Sequence, residues 1–337
     1  MTINRRDFLK ATSGGALLLA AGVSVAAAES TPLSPGAVGI LYDATLCIGC
    51  KSCMVNCKKY NSTEEGGALY TPGGGIPFER ENPEGPWDEV TDLSAKSVCI
   101  IRAYKNGTGI ERGAEINGYS FVKNHCMHCL NPACVSVCPV GALQKAPLSG
   151  AVTYDNSRCI GCRYCQVACP FGVPKFEWAS NNPRIVKCQL CHHRYAKGGY
   201  SACCEYCPTG ASIFGPVKEL REEAKRRLAL KFGSSYDYPS QTVNSERRLS
   251  KTVSRYIDRV YGMTEAGGTQ YLMLAGVPFD KLGFNPRISE QEYPDLTWSY
   301  IKKVPVLIAA LLAAGAISYQ VTRNKDGDGP EKSGTKS

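Results

Sequence analysis

The chain has 337 residues, enough for one large or two modest domains with a sizeable core, and 18 of them are cysteine. A formal net charge of +9 would ordinarily point to nucleic acid or an anionic surface, but no nucleic-acid-binding module occurs in the sequence. The chain is too long to need disulfide staples for want of a core, so the spacing of the cysteines has to explain their number.

The N-terminus reads Asn4-Arg5-Arg6-Asp7-Phe8-Leu9-Lys10, followed by an apolar run of small residues from Ala11 to Ala28. The run closes on Ala26-Ala27-Ala28, an A-x-A-like cleavage site before Glu29, so residues 1–28 read as a signal peptide. The pair Arg5-Arg6 ahead of Phe8-Leu9-Lys10 looks like a twin-arginine export signal; an ordinary secretory signal is the alternative. Twin-arginine export moves folded proteins, which suits a chain whose cofactors are built in the reducing cytosol. The expected location is therefore the periplasmic face of the cytoplasmic membrane.

Four cysteine groups follow within residues 29–215. Group one is Cys47-x2-Cys50-x2-Cys53-x3-Cys57. After it, residues 60–117 are rich in Gly, Pro and Asn and read as a loop-rich insertion with one strand, Ser97 to Tyr104. Group two is Cys126-x2-Cys129-x4-Cys134-x3-Cys138, and group three is Cys159-x2-Cys162-x2-Cys165-x3-Cys169. Group four is split: Cys188-x2-Cys191, then Cys203-x3-Cys207 after an eleven-residue gap. Pro139, Pro170 and Pro208 close the last three groups.

Beyond them, residues 216–297 form an extension. Val217 to Lys231 reads as an exposed amphipathic helix, the stretch after Ser234 is polar without clear periodicity, and Tyr271 to Val277 is a short apolar run. Val304 to Val321 carries no charge, and as a helix it would span about 27 Å, close to the roughly 30 Å of a bilayer's hydrocarbon core. Lys302, Lys303 and Arg323 can snorkel, and Trp298, Tyr300 and Tyr319 suit the interface, so residues 298–322 read as a transmembrane helix with a polar tail at 323–337.

Groups one and three follow the bacterial ferredoxin run, in which three closely spaced thiolates reach three corners of one [4Fe–4S] cube. The fourth cysteine points away and ligates the other cluster of a pair, and proline after it gives a rigid exit. Zinc ribbons also use C-x2-C pairs, but they separate two pairs by a longer gap and do not place four cysteines within eleven residues. The expectation is four [4Fe–4S] clusters bound by sixteen cysteines. Their charge of about −2 each, as oxidised cores with four thiolates, would offset most of the +7 that remains beyond residue 28.

Two cysteines are left over. Cys99 lies in the expected strand and reads as a buried thiol, and Cys204 is set aside because only Cys203 gives the three-residue gap to Cys207; a Cys99–Cys204 disulfide stays open. His125, His128, His192 and His193 each lie within two residues of a cysteine of group two or four, as neighbours that tune potential or as simple packing. No nucleotide-binding glycine loop or nucleophile motif occurs, so no catalytic residue is assigned and chemistry on a substrate falls to a partner chain.

Four groups with a split fourth resemble the four-cluster ferredoxin-like subunits of membrane-bound respiratory oxidoreductases, the beta subunits of formate dehydrogenase, nitrate reductase and dimethyl sulfoxide reductase. The resemblance covers roughly Val38 to Gly215. Some members of that family lack a cysteine of the third group; here Cys162 fills the place. A closer likeness is to iron–sulfur subunits of periplasmic [NiFe] hydrogenases of the hydrogenase-2 type. It is carried by Cys126-Met127-His128-Cys129, by Cys159-Ile160-Gly161-Cys162-Arg163-Tyr164-Cys165, by the run from Ala224 to Lys231, and by Tyr261-Gly262 followed by Gly267-Gly268-Thr269-Gln270.

The resemblance implies an α+β fold of two ferredoxin-like domains, each holding two clusters, with insertions and the C-terminal helix. It also implies crossed ligand sets: Cys47, Cys50 and Cys53 with Cys207; Cys188, Cys191 and Cys203 with Cys57; Cys126, Cys129 and Cys134 with Cys169; Cys159, Cys162 and Cys165 with Cys138. The implied role is electron transfer from the small subunit of a hydrogenase, bound to its large subunit, to an integral-membrane quinone-reactive subunit. A formate dehydrogenase or other molybdoenzyme is the second expectation for the partner. A redox sensor or cluster scaffold is the third.

Overall fold

The computed structural model describes residues 31–61, 92–178 and 184–323. The signal peptide expected over 1–28, residues 62–91 of the expected insertion and the tail beyond Arg323 lie outside them.

Strand β1 (Val38–Asp43) leads through group one into helix α1 (Ser52–Asn61), and β2 (Ile100–Lys105), β3 (Glu111–Arg112) and β4 (Gly118–Asn124) follow. Groups two and three are carried by α2 (Ala133–Ser136), β5 (Leu143–Lys145), β6 (Val152–Tyr154), α3 (Tyr164–Ala168), β7 (Lys175–Phe176) and β8 (Ile185–Val186). Group four sits on α4 (His192–Tyr195) and α5 (Ala202–Glu205) and their connections, ahead of β9 (Ser212–Pro216) and α6 (Val217–Leu228). The extension adds β10 (Ser235–Pro239), β11 (Gln241–Thr242), β12 (Arg248–Thr252), β13 (Tyr271–Leu274), α7 (Tyr293–Ile301) and α8 (Val304–Arg323).

The central sheet has the order β11-β9-β1-β13, with β1 antiparallel to β9 and parallel to β13. All six residues of β1 are buried, because both faces of the sheet are covered. Strand alternation sorts them: Val38, Ile40 and Tyr42 pack with Cys47, Cys126 and Cys203, whereas Leu41 packs with Ile213, Leu272 and the Leu220 and Ala224 side chains of α6. Gly39 is required where β13 begins, since a Cβ there would stand 2.0 Å from the Gln270 carbonyl oxygen. The extension is thus woven into the sheet that β1 starts.

Helix α6 corrects one expectation. It stops at Leu228 rather than Lys231, and its charged residues are not all solvated. Val217, Leu220 and Ala224 form a buried stripe, and Glu223 and Arg227 continue it one position on. Arg227, fully buried, bonds Asp43 at 3.1 Å and Glu223 at 2.9 Å, and its guanidinium lies 4.9 Å from the Tyr238 ring centre. Tyr256 donates to Asp43 and Tyr236 to Glu223, so both carboxylates are met by hydroxyls as well. A buried pair of this kind costs about 3–5 kcal/mol if one partner is removed, which fixes α6 on the sheet.

The strand expected at Ser97–Tyr104 is β2, displaced to Ile100–Lys105 because residues 94–97 close a small bridge of their own. It pairs antiparallel with β4, and β3 adds a parallel edge to β4, so the described part of the insertion completes a three-stranded sheet. The polar stretch after Ser234 contains the β10–β12 ladder, whose β12 residues alternate between exposed and half-buried. The apolar run at Tyr271 is β13, and the expected C-terminal helix is α8, preceded by α7 with a break at Lys302 and Lys303. Tyr293–Gln320 is the one stretch among the described residues long and apolar enough to cross a membrane, and an 18-residue window within it has a mean hydropathy of 1.8 and none of it buried. The fold therefore mixes helix and sheet and carries one apolar C-terminal helix.

Candidate metal centres

The four cysteine loops share one backbone device. In each, the second residue after the first cysteine has a left-handed φ: Gly49 at 69°, His128 at 50°, Gly161 at 69° and Leu190 at 58°. That twist turns the following amides inward, so the Gly49, Gly161 and Leu190 N–H groups donate to the sulfurs of Cys47, Cys159 and Cys188 at 3.5, 3.5 and 3.3 Å. In groups one and three a second left-handed residue, Lys51 or Arg163, stands directly before the helix whose first turn bears Cys53 or Cys165. The last cysteines are met by amides as well: Ala142 N–H donates to Cys138 at 3.2 Å and Ser212 N–H to Cys207 at 3.4 Å.

The sixteen cysteines gather in fours. Cys47, Cys50, Cys53 and Cys207 line one cavity with Tyr42 and Ser212. Cys57, Cys188, Cys191 and Cys203 line a second, with Asn61 and Cys99. The third gathering is seen at Cys129, whose thiol is raised first by burial and then by the nearby sulfurs of Cys169, Cys126 and Cys134. The fourth is seen at Cys165, pushed up to about 11 by burial, with Cys159, Cys138 and Cys162 next to it. Cys126 acts on Cys188, and Cys165 acts on Cys134, so the second gathering adjoins the third and the third adjoins the fourth. Only Cys50 and Cys162 are exposed.

These surroundings fit an anionic, sulfur-rich group. Burial pushes Cys47 and Cys134 up to about 12, so their protons stay until a metal displaces them. Among the described residues no three His, Cys, Asp or Glu side chains close on one point as the ligands of a single ion do. A cubane takes its thiolates one per corner and holds them further apart. His128 adds a donor. Its Nδ1 accepts the Val152 N–H at 3.0 Å, which leaves the ring proton on Nε2, and that buried atom has no partner among the described residues. His125 is the reverse: Nδ1 donates to the Cys126 carbonyl at 2.8 Å, the ring lies 4.0 Å from that of Tyr271, and the Nε2 lone pair meets no donor among the described residues. Burial holds both rings well below the ordinary histidine range, and so neutral. His192 is also lowered by burial, and His193 meets the Tyr60 carbonyl at 3.2 Å.

Cys99 and Cys204 are both free and buried. Cys99, one residue before β2, contacts the sulfurs of Cys53 and Cys57, so it stands between the first two gatherings. Cys204 is fully buried against Cys203; its thiol and the Lys123 ammonium hold Cys203 well below the ordinary thiol range.

The sequence reasoning missed four polar neighbours. Asn61 Nδ2 lies 3.5 Å from the Cys191 sulfur and 3.8 Å from that of Cys57, linking two cysteines of one gathering. Lys123, Lys145 and Lys187 turn inward, and Lys145 donates to the Cys129 carbonyl at 2.8 Å, the Gly150 carbonyl at 2.9 Å and Gln270 Oε1 at 2.9 Å. One signal was available: Lys187 directly precedes Cys188, and Lys123, the last residue but one of β4, stands three residues before Cys126.

Residues 118–217 match the family described as a 4Fe-4S dicluster domain, a span that holds groups two to four. Over 97% of its length the chain is 42% identical to the Hydrogenase-2 operon protein HybA of Escherichia coli O157:H7 and covers 98% of that protein. It is 34% identical over 60% of its length to the nitrate-inducible formate dehydrogenase iron-sulfur subunit of Escherichia coli strain K12, of which it covers 62%.

Proposed function

We propose that this chain, which belongs to the HybA family of iron–sulfur proteins, binds four [4Fe–4S] clusters and relays electrons between a periplasmic [NiFe] hydrogenase and a quinone-reactive membrane subunit. The observation that carries the reading is the gathering of sixteen cysteines into four sets, each made of three from one group and one from another. The ligands are Cys47, Cys50, Cys53 and Cys207; Cys57, Cys188, Cys191 and Cys203; Cys126, Cys129, Cys134 and Cys169; and Cys138, Cys159, Cys162 and Cys165. Groups one and four then form one two-cluster half of the chain, and groups two and three the other.

Each cluster, when bound, stores and passes one electron. The chain's own residues do the rest. Inward amides at Gly49, Gly161, Leu190, Ala142 and Ser212 donate to ligand sulfurs and favour the reduced state. Buried Ile40, Tyr42, Met127 and Phe121 keep water from the interior. Twin-arginine export puts the cluster region on the periplasmic side, and α8 anchors it in the membrane.

The hydrogenase partner is supported by the near end-to-end likeness to HybA; the likeness to the formate dehydrogenase subunit covers only 62% of that protein. Purification of the tagged chain from membranes, with identification of the proteins held to it, tests the assignment. A nickel hydrogenase pair and a multi-spanning subunit are expected. A molybdopterin subunit in their place would overturn the hydrogenase assignment and leave the wire intact.

A further inference from the structure

Taking a charge into a protein interior is costly unless an opposite charge is there to meet it. Lys123 on β4 and Lys187 after β8 are almost wholly buried, at 0% and 1% exposure. Neither is paired with a carboxylate among the described residues. Lys123 Nζ donates to Ser212 Oγ at 3.1 Å, and the backbone N–H of the same Ser212 donates to the Cys207 sulfur. Ser212 lines the Cys47–Cys50–Cys53–Cys207 cavity, while Lys123 also reaches Cys203 of the neighbouring set. Lys187 Nζ donates to the carbonyls of Val152 and Cys188, the latter at 3.0 Å. It therefore stands against the Cys57–Cys188–Cys191–Cys203 set on one side, and its charge acts on Cys134 of the next set on the other.

We infer that Lys123 and Lys187 are fixed positive charges at two of the three junctions of the wire, and that they set the potentials of the clusters on either side of each junction. The inference rests on the ligand sets proposed above. Lys123 belongs to the junction between the Cys47 set and the Cys57 set, and Lys187 to the junction between the Cys57 set and the Cys126 set. Among the described residues neither lysine bonds to the set of Cys138, Cys159, Cys162 and Cys165. The partner these ammonium groups lack is supplied by an electron-rich cluster on each side. Reduction adds a negative charge there, so a fixed positive charge favours the reduced state of both neighbours. Arranged this way, the Cys57 set, which faces both lysines, is favoured most for reduction, and an electron entering at either end is drawn toward it.

The test is a redox titration of the holoprotein, followed by electron paramagnetic resonance, for Lys123→Gln, Lys187→Gln and the double variant. The pattern of shifts needs no prior assignment of signals. Each single variant is expected to lower the midpoints of two clusters, with one cluster common to both. The double variant should lower three and leave the fourth unchanged. Each shift should correspond to about a tenfold change in a one-electron equilibrium, near 59 mV. Lys123→Arg, which keeps the charge, should hold its two midpoints near those of the parent. Parent-like midpoints in both glutamine variants, with iron content intact, would overturn the inference. So would an equal shift of all four clusters, which a general loosening of the fold would give. If one glutamine variant fails to retain iron, the other still decides, because each predicts its own pair. Failure of the ligand sets shows separately, as fewer than four clusters in the unaltered protein.

Discussion

Cys207→Ser is expected to damage the cluster held by Cys47, Cys50 and Cys53 while the other three stay intact, although 154 residues separate Cys207 from Cys53. Cys207 lines the same cavity as those three cysteines, and β9 fixes it there by pairing with β1, which runs directly into their loop. A serine oxygen is a harder and less readily ionised ligand than a thiolate, so one corner of the cube is left weakly held. The expected loss is about a quarter of the iron, or conversion of one cluster to a three-iron form. Cys204→Ser should leave the iron unchanged, because that thiol fills core space beside Cys203. Loss of a cluster in Cys204→Ser but not in Cys203→Ser would show that the wrong neighbour was chosen. Loss from a different set in Cys207→Ser would remove the crossed pairing.

Truncation before Trp298 is expected to leave the iron content unchanged and to abolish most hydrogen-dependent quinone reduction. The cut removes α8 and the end of α7 but keeps Glu292, whose carboxylate ties the extension down by accepting from Thr31 Oγ1 at 2.6 Å and Asn131 Nδ2 at 2.7 Å. The shortened chain should be more easily released from membranes. A single anchoring helix holds the terminal cluster beside its membrane partner at an effective concentration in the millimolar range, so quinone reduction should fall by roughly 10²-fold. Hydrogen oxidation with a soluble dye should persist, since a dye takes electrons at the hydrogenase or at an exposed cluster. Unchanged quinone reduction would make α8 a dispensable anchor. Loss of the dye-linked activity as well would make it an assembly element.

The cysteine loops were legible because each is a local device: three ligands and a left-handed residue fit within a few positions, so spacing reports them directly. The fourth partner of each set was not legible from spacing. Cys207 reaches Cys47 only through the β1–β9 pairing, and that arrangement was expected from family likeness alone. The inward lysines escaped for a related reason. Lys123 occupies a core position of β4, where a charge contradicts the pattern of burial unless a countercharge is known to stand beside it. Helix α6 was found but turned the wrong way at Glu223 and Arg227, since an i,i+4 ion pair looks the same on a wet face as on a dry one. The β10–β12 ladder was missed because β12 alternates only between exposed and half-buried residues and the short β10 is buried only at Tyr238 and Pro239. The C-terminal helix was plain, since a long uncharged run flanked by lysines depends on no distant contact.

The central claim is that all sixteen grouped cysteines serve iron. Its most direct measurement is the content of iron, acid-labile sulfide and zinc per chain in anaerobically purified protein, with spin integration after full reduction. About sixteen iron and sixteen sulfide per chain, no stoichiometric zinc and four interacting [4Fe–4S] signals are expected. Eight iron, one zinc per chain, or a [3Fe–4S] signal in fresh, unoxidised protein would contradict it.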